Sequence, residues 1–138
     1  MEGKVRVAEY STKLMPTIYI IDPDEKHCSE VSALLEKLGY QTMVFPSAED
    51  FLSSDSEPDL DGCIVSEMQL PGMSGLELLS VLRERQVSLR FIILTSDPDV
   101  ALAVTALRSK VANYLVKPLA GRELANTIEA VLLQPESG

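Results

Sequence analysis

The sequence is poor in the residues that build metal and redox sites. Its 138 residues include two cysteines and one histidine. Cys28 and Cys63 stand far apart and lack CxxC spacing, so we expect two buried free thiols and neither a disulfide nor a metal centre. His27 precedes an apolar helical stripe and is expected to be a solvated helix residue. These residues therefore indicate no functional site.

Positive charge is scarce as well. The chain has 12 basic and 21 acidic residues, a formal net charge of −9. An acidic surface repels phosphate backbones and anionic lipids, which argues against direct binding of nucleic acids or membranes by this domain. We therefore expect its partners to be proteins or cations.

Long apolar runs are also missing. No run approaches the roughly 18 residues that a membrane-spanning helix needs, and the opening residues have no apolar core of the signal-peptide type. We expect a cytoplasmic protein.

The sequence does contain a regular alternation of two kinds of apolar segment. Between short β-branched runs lie longer segments with helical periodicity, such as the stripe from Val31 to Leu38. The alternation predicts a parallel sheet with right-handed crossovers and helices on both faces, a doubly wound α/β domain. The predicted strands are 17–21, 41–45, 62–65, 90–94 and 113–116.

The length fits one domain. Residues 1–15 lack periodicity and are expected to form a loose arm. Residues 16–134 form the predicted domain, and residues 135–138 are a tail or the beginning of a linker.

Polar residues follow four of the five predicted strands. In doubly wound sheets the working site lies beyond the carboxyl ends of the strands. Carboxylates there can hold a divalent cation, a hydroxyl can donate to a phosphoryl oxygen, and an ammonium can neutralise charge. Taken singly, the acid and the hydroxyl could be helix caps and the lysine could be solvated. The residues concerned are Asp22, Ser66-Glu67, Thr95-Ser96 and Lys117-Pro118.

Four motifs give the chain a specific resemblance. They are "IYIIDPDE", "EMQLPGMSGLELL", "FIILTSDPDVALAVTAL" and "ANYLVKPL". Together they resemble the receiver domain of two-component response regulators, most closely its transcription-factor branch (FixJ/NarL-like). The resemblance implies a flavodoxin-like sheet with strand order 2-1-3-4-5 and a signalling module that is not an enzyme. In that family an aspartate ending the third strand accepts phosphate from a histidine kinase.

The resemblance also assigns roles to individual residues. Asp22 matches the first acid, Thr95 the switch hydroxyl and Tyr114 the switch aromatic. Lys117 matches the phosphate-binding lysine, and Pro118 the cis proline that follows it.

Two positions depart from the family pattern. The second acid, which in the family binds magnesium, is Pro23. Asp24, one residue later, belongs with Asp22 to the predicted acidic pocket and is expected to cap the first helix rather than to replace the missing ligand. The phosphoacceptor position holds Glu67. The candidate metal ligands that remain are Asp22, Glu67 and the backbone of Gln69, so we expect Mg²⁺ binding to be weak and no cofactor to be required.

The extra methylene of Glu67 misplaces the carboxylate by roughly an ångström, which can reduce a rate about a hundredfold. We expect a poor phosphoacceptor that imitates a phosphate in part and regulates by protein contact. One alternative is a purely structural module in which Glu67 only pairs with Lys117. Another is a receiver that still accepts phosphate with Mg²⁺. An unrelated small-ligand domain would need a Gly-rich or Ser/Thr-rich loop, and "DPDEKHCSE" supplies neither.

The segment "DVALAVTALRSK" is apolar nearly all round. Such a helix is either crowded by neighbours or an interface. The resemblance favours an interface, because the family dimerises and contacts output domains through the fourth helix, fifth strand and fifth helix. We expect a homodimer or an output partner there, and the expected protein partners are a sensor kinase or an output domain. The periodicity places Val100, Ala103, Val104 and Leu107 toward the sheet, and the predicted partner surface is Leu102, Ala106 and Tyr114, with Ala101 also outward.

Overall fold

The computed structural model describes residues 15–54, 57–97 and 99–134. The predicted tail at 135–138 and all but Met15 of the predicted arm lie outside the described residues. Within them no helix is long and apolar enough to cross a membrane. Strands and helices alternate as β1 (Thr17–Ile21), α1 (Glu25–Lys37), β2 (Gln41–Phe45), α2 (Ala48–Leu52), β3 (Cys63–Ser66), α3 (Gly75–Glu84), β4 (Arg90–Thr95), α4 (Val100–Arg108), β5 (Asn113–Val116) and α5 (Gly121–Leu133).

The strands form one parallel sheet in the order β2-β1-β3-β4-β5. This confirms the doubly wound fold and the strand order that the resemblance implies. β1 and β3 are buried along their whole length, and β4 is buried from Phe91 onward. Helices cover both faces of these strands, which explains why they read as continuous apolar runs. The edge strand β2 is largely exposed, and β5 is half-buried.

The core has one apolar layer on each side of the sheet. On one side Leu78 of α3 and Ala106 of α4 pack with Phe91 and Ile93. On the other side Leu35 of α1 and Ile128 of α5 pack with strand residues that include Ile18 and Ile92. Because the strands are parallel, all five carboxyl ends meet at one edge of this sandwich.

Polar side chains cap the starts of four helices at that edge, and Ser47 is the cap of α2. The Asp24 carboxylate accepts a hydrogen bond from the His27 amide at the start of α1, which confirms the expected cap. This bond lowers the pKa of the Asp24 carboxyl, although the group is exposed to solvent. Ser74 forms a capping box with Glu77 at the start of α3, and Asp99 caps α4. The loops between strand ends and helices are therefore held in place locally.

The orientation of α4 differs from the prediction. Ala106 is fully buried and Leu102 packs against the core, whereas Val104 and Leu107 are 42% and 59% exposed. The sequence pattern could not fix the face of α4, because a helix that is apolar on every side has no preferred direction. Ala106 therefore does not belong to a partner surface. Among the residues whose burial the structure describes, the large exposed apolar side chains of this region are Val104, Leu107 and, on β5, Val116, while Ala101 is exposed as predicted.

Candidate functional site

Asp22 lies directly after β1 and is 6% exposed. Its Oδ1 accepts a hydrogen bond from the Asp24 amide at 2.9 Å. Its Oδ2 accepts one from Nζ of Lys117 at 2.8 Å. A carboxylate that is taken out of water needs partners of this kind to remain ionised.

Glu67 follows β3 and is 7% exposed. Its Oε1 lies 3.1 Å from Nζ of Lys117. Its Oε2 folds back onto the chain and accepts hydrogen bonds from the amides of Met68, at 2.9 Å, and Gln69, at 3.4 Å. The longer side chain therefore turns inward, and both of its oxygens have donors.

Lys117 joins the two acids. Burial acts to lower the pKa of its ammonium, but hydrogen bonds to Asp22 and Glu67 outweigh burial and raise that pKa. The lysine is held as a cation between two carboxylates. The peptide bond to Pro118 is cis, as the resemblance implies.

Thr95 and Tyr114 meet at Asp97. Thr95 is fully buried, and its hydroxyl accepts a hydrogen bond from the Asp97 amide at 3.1 Å. The Tyr114 hydroxyl donates to the Asp97 carbonyl at 3.4 Å. Burial, followed by the charges of Asp97, Asp99 and Glu67, raises the pKa of the Tyr114 phenol. Within the described residues Glu67 makes no hydrogen bond to Thr95.

Two groups at the site were not anticipated from the sequence. Nδ1 of His27 is buried, has no hydrogen-bond partner among the described residues, and lies 3.5 Å from Oδ2 of Asp22. The His27 side chain is 24% exposed, so it is only in part the solvated residue that the sequence predicts. The Gln69 side chain donates to Oδ2 of Asp97 at 2.9 Å and so joins the loops after β3 and β4. The position of His27 in the first turn of α1 was a signal for its place here. The sequence singles out the backbone of Gln69 as a candidate metal ligand, but no pattern points to its side chain or to Asp97.

The residues present do not fit a resident magnesium ion. Pro23 has no side-chain ligand, and the Lys117 ammonium occupies the position between the two carboxylates. All four oxygens of Asp22 and Glu67 already accept from protein donors. Across 15–54, 57–97 and 99–134, no three His, Cys, Asp or Glu side chains are placed to share a metal ion.

The structure thus brings Asp22, Glu67 and Lys117 into direct contact. Thr95 and Tyr114 stand beside this group and are linked to it through Asp97 and Gln69. Asp24 remains outside as a helix cap.

Comparison with known proteins gives matches over most of the chain. A family model described as response regulator receiver domain matches residues 18–129. The chain is 35% identical over 120 residues to the transcriptional regulatory protein FixJ of Bradyrhizobium diazoefficiens, covering 86% of this chain and 58% of that protein. It is 30% identical over 115 residues to the response regulator protein TodT of Pseudomonas putida, covering 83% of this chain and 50% of TodT. The chain thus spans little more than half the length of these relatives.

Solved structures agree with the sheet topology. Full-length FixJ from B. japonicum superposes with a TM-score of 0.77 at 32% identity, covering 85% of this chain and 57% of that one. The receiver domain of DrrB activated with BeF3 superposes with a TM-score of 0.78 at 24% identity, covering 88% of this chain and 100% of that one. The second likeness bears on the fold alone.

Proposed function

This chain belongs to the response regulator receiver domain family, and we propose that it is an atypical member that regulates by protein contact without accepting phosphate. The observation that carries the proposal is the contact of Lys117 with both Glu67 and Asp22. One internal cation bridges the two acids at the place where a phosphorylation site would need a divalent ion and a free nucleophile.

Glu67 is poorly disposed to attack a phosphodonor. One of its oxygens is paired with an ammonium and the other accepts from backbone amides. Attack in line with the leaving group would require the carboxylate to give up these bonds and swing outward. Displacement of roughly an ångström can cost about a hundredfold in rate, and the weak cation site adds to that cost.

The same contacts support a partial imitation of a phosphorylated site. Glu67 places one negative charge against Lys117, where a phosphoryl group would bring about −1.5 to −2. The hydroxyl of Thr95 is engaged with Asp97 and does not hold Glu67. A group that shares only some contacts with the active state shifts a two-state equilibrium in proportion to those contacts. We therefore expect Glu67 to shift the equilibrium of the domain toward its active state without fixing it there.

The partners we propose are proteins, namely a sensor kinase, an output domain or a second copy. The relatives named transcriptional regulatory proteins are nearly twice as long as the matched region, which suits an output domain joined to the receiver. For self-association we propose the surface of α4, β5 and α5. Val104, Leu107 and Val116 supply exposed apolar area there.

The direct test is a phosphorylation assay read by intact mass. The protein is incubated with acetyl phosphate and Mg²⁺ and then weighed. We expect no adduct on the natural chain. The double variant Glu67→Asp, Pro23→Asp restores both family acids and is expected to gain one phosphoryl group.

Two outcomes of this assay contradict the proposal. A stoichiometric adduct on Glu67 of the natural chain means that phosphotransfer is retained. A double variant that folds, binds Mg²⁺ in a titration and still stays unmodified means that Glu67 and Pro23 are not what blocks the reaction. A Glu67→Asp single variant separates the contribution of the nucleophile from that of the metal ligand.

A further inference from the structure

Asp97 is the junction of four hydrogen bonds in the loop that follows β4. Its amide donates to the Thr95 hydroxyl, and its carbonyl accepts from Tyr114. Its Oδ1 accepts from the amide of Asp99, the cap of α4. Its Oδ2 accepts from the side chain of Gln69, which belongs to the loop after β3. Asp97 thus contacts the hydroxyl groups of Thr95 and Tyr114, the cap of α4 and the loop after β3.

We infer that the Gln69–Asp97 hydrogen bond is a clasp that holds Tyr114 in its half-buried position against the core and transmits the state of Glu67 to it. Both residues are positioning residues. The inference deepens the proposed function, because it specifies how a fixed charge at Glu67 reaches the α4 and β5 surface.

The contacts form a continuous path. The Gln69 amide donates to Oε2 of Glu67, while the side chain of the same residue donates to Asp97. Asp97 in turn accepts from the Tyr114 hydroxyl through its carbonyl. On this inference a displacement of the Glu67 carboxylate acts on the Gln69 amide through a bond of 3.4 Å, and on the Asp97 loop through the Gln69 side chain. Coupling along this path is measurable as a change at Tyr114 when Gln69 is altered.

The hydrogen-bond lengths bear on which contact determines the position of the Tyr114 ring. The Tyr114 hydroxyl bond of 3.4 Å is long, whereas the Gln69–Asp97 bond of 2.9 Å has a charged acceptor. The tyrosine therefore depends on where the Asp97 backbone is held, and two bonds hold this residue: the one from its amide to Thr95 at 3.1 Å and the solvent-exposed one from Gln69 at 2.9 Å. The Asp97 carboxylate also contributes to the raised pKa of the Tyr114 phenol.

The test uses ¹⁹F NMR of protein labelled with 3-fluorotyrosine, without a phosphodonor. The chain has four tyrosines, so at most four resonances appear, and loss of one in Tyr114→Phe assigns it. In Gln69→Ala we expect the Tyr114 resonance to shift and the phenol to titrate at lower pH. The resonances of Tyr19 and Tyr40 should stay in place. Ser96→Ala changes an exposed side chain in the same loop and is expected to move none of them.

An exchange of donor and acceptor tests the bond itself. Gln69→Glu alone places two carboxylates together and should disturb Tyr114 more than Gln69→Ala does. Adding Asp97→Asn gives the pair an amide donor on the other side, and its side-chain oxygen can still accept from Asp99. The Tyr114 signal should then return toward its position in the natural chain.

The clasp is wrong if the Tyr114 resonance and its titration are unchanged in Gln69→Ala, or if the exchanged pair behaves like Gln69→Glu alone. These outcomes do not depend on whether Glu67 accepts phosphate, which the mass assay decides separately. Phosphorylation of Glu67 with a working clasp would overturn the proposed function and leave the clasp standing. Absence of an adduct on Glu67, together with an unchanged Tyr114 resonance in Gln69→Ala, would overturn the clasp alone.

Discussion

Nζ of Lys117 lies 3.1 Å from Oε1 of Glu67 and supplies the positive charge that this buried carboxylate contacts. The same ammonium lies 2.8 Å from Oδ2 of Asp22. Removing it would leave two nearly buried acids facing each other. Breaking a buried ion pair from one side is costly because the remaining charge loses its compensation. The relationship therefore makes Lys117 a determinant of stability.

We predict that Lys117→Met lowers the free energy of unfolding by about 3 kcal/mol, the lower end of the range for buried pairs, since the lysine is partly solvated. Urea denaturation of the variant and the natural chain measures this. Lys26→Met, at an exposed position in α1, is the matched control and should change little. Adding Glu67→Gln to Lys117→Met should restore part of the loss. If the two lysine variants are equally stable, the ion pairs contribute nothing.

Alkaline pH should destabilise the fold through its buried thiols. Burial raises the pKa of Cys63 to about 12 and, together with the charge of Asp22, that of Cys28 to about 11. A folded pKa above the unfolded value of 9.0 means that the folded state binds the proton more tightly. The thiol contribution is thus fully present below pH 9 and is lost as pH rises toward 12.

The measurement is urea denaturation at a series of pH values across that window. Cys63→Ala removes the more shifted group, so its stability should fall less steeply than that of the natural chain. The variant starts lower because it leaves a cavity, which makes the slope and not the absolute value the diagnostic quantity. Parallel slopes would show that Cys63 does not titrate on unfolding.

Gly62 precedes β3 at a point where the chain passes close to β1. A Cβ built on Gly62 would lie 1.9 Å from the Thr17 carbonyl oxygen, which is backbone and cannot turn aside. We predict that Gly62→Ala costs about 2 kcal/mol or more in urea denaturation. Gly121→Ala is the control, because its Cβ would meet only a flexible Leu34 methyl group. Equal stability of the two variants would mean that β3 shifts freely at its start.

The strands and the main ion-paired group were predictable from sequence for physical reasons. β1, β3 and β4 lie between two layers of helices, so their sequences are nearly uninterrupted apolar runs. In a parallel sheet every strand end points to the same edge. The residues that follow β1, β3 and β5 are therefore neighbours, and Asp22, Glu67 and Lys117 could be placed together before the structure was known.

The sequence pattern does not determine which face of α4 packs on the core, nor the conformation of the loops. The face of α4 was assigned wrongly because its apolar residues surround the axis, and packing of Ala106 against the core decides the orientation. The Gln69–Asp97 bond joins two loops distant in sequence, and polar residues in loops carry no periodic signal. The inward turn of Glu67 depends on the amides of Met68 and Gln69, which no side-chain pattern reveals.

The observed orientation of α4 changes which substitution tests self-association. Leu107 is 59% exposed, so Leu107→Asp should leave unfolding within about 0.5 kcal/mol of the natural chain and weaken the proposed dimer about tenfold. Leu102 packs on the core, and Leu102→Asp should instead lower stability by about 2 kcal/mol. Sedimentation equilibrium at several concentrations measures the first effect and urea denaturation the second. Unchanged association of a folded Leu107→Asp protein would remove α4 from the interface, because a buried carboxylate at that position could not be tolerated without loss of affinity.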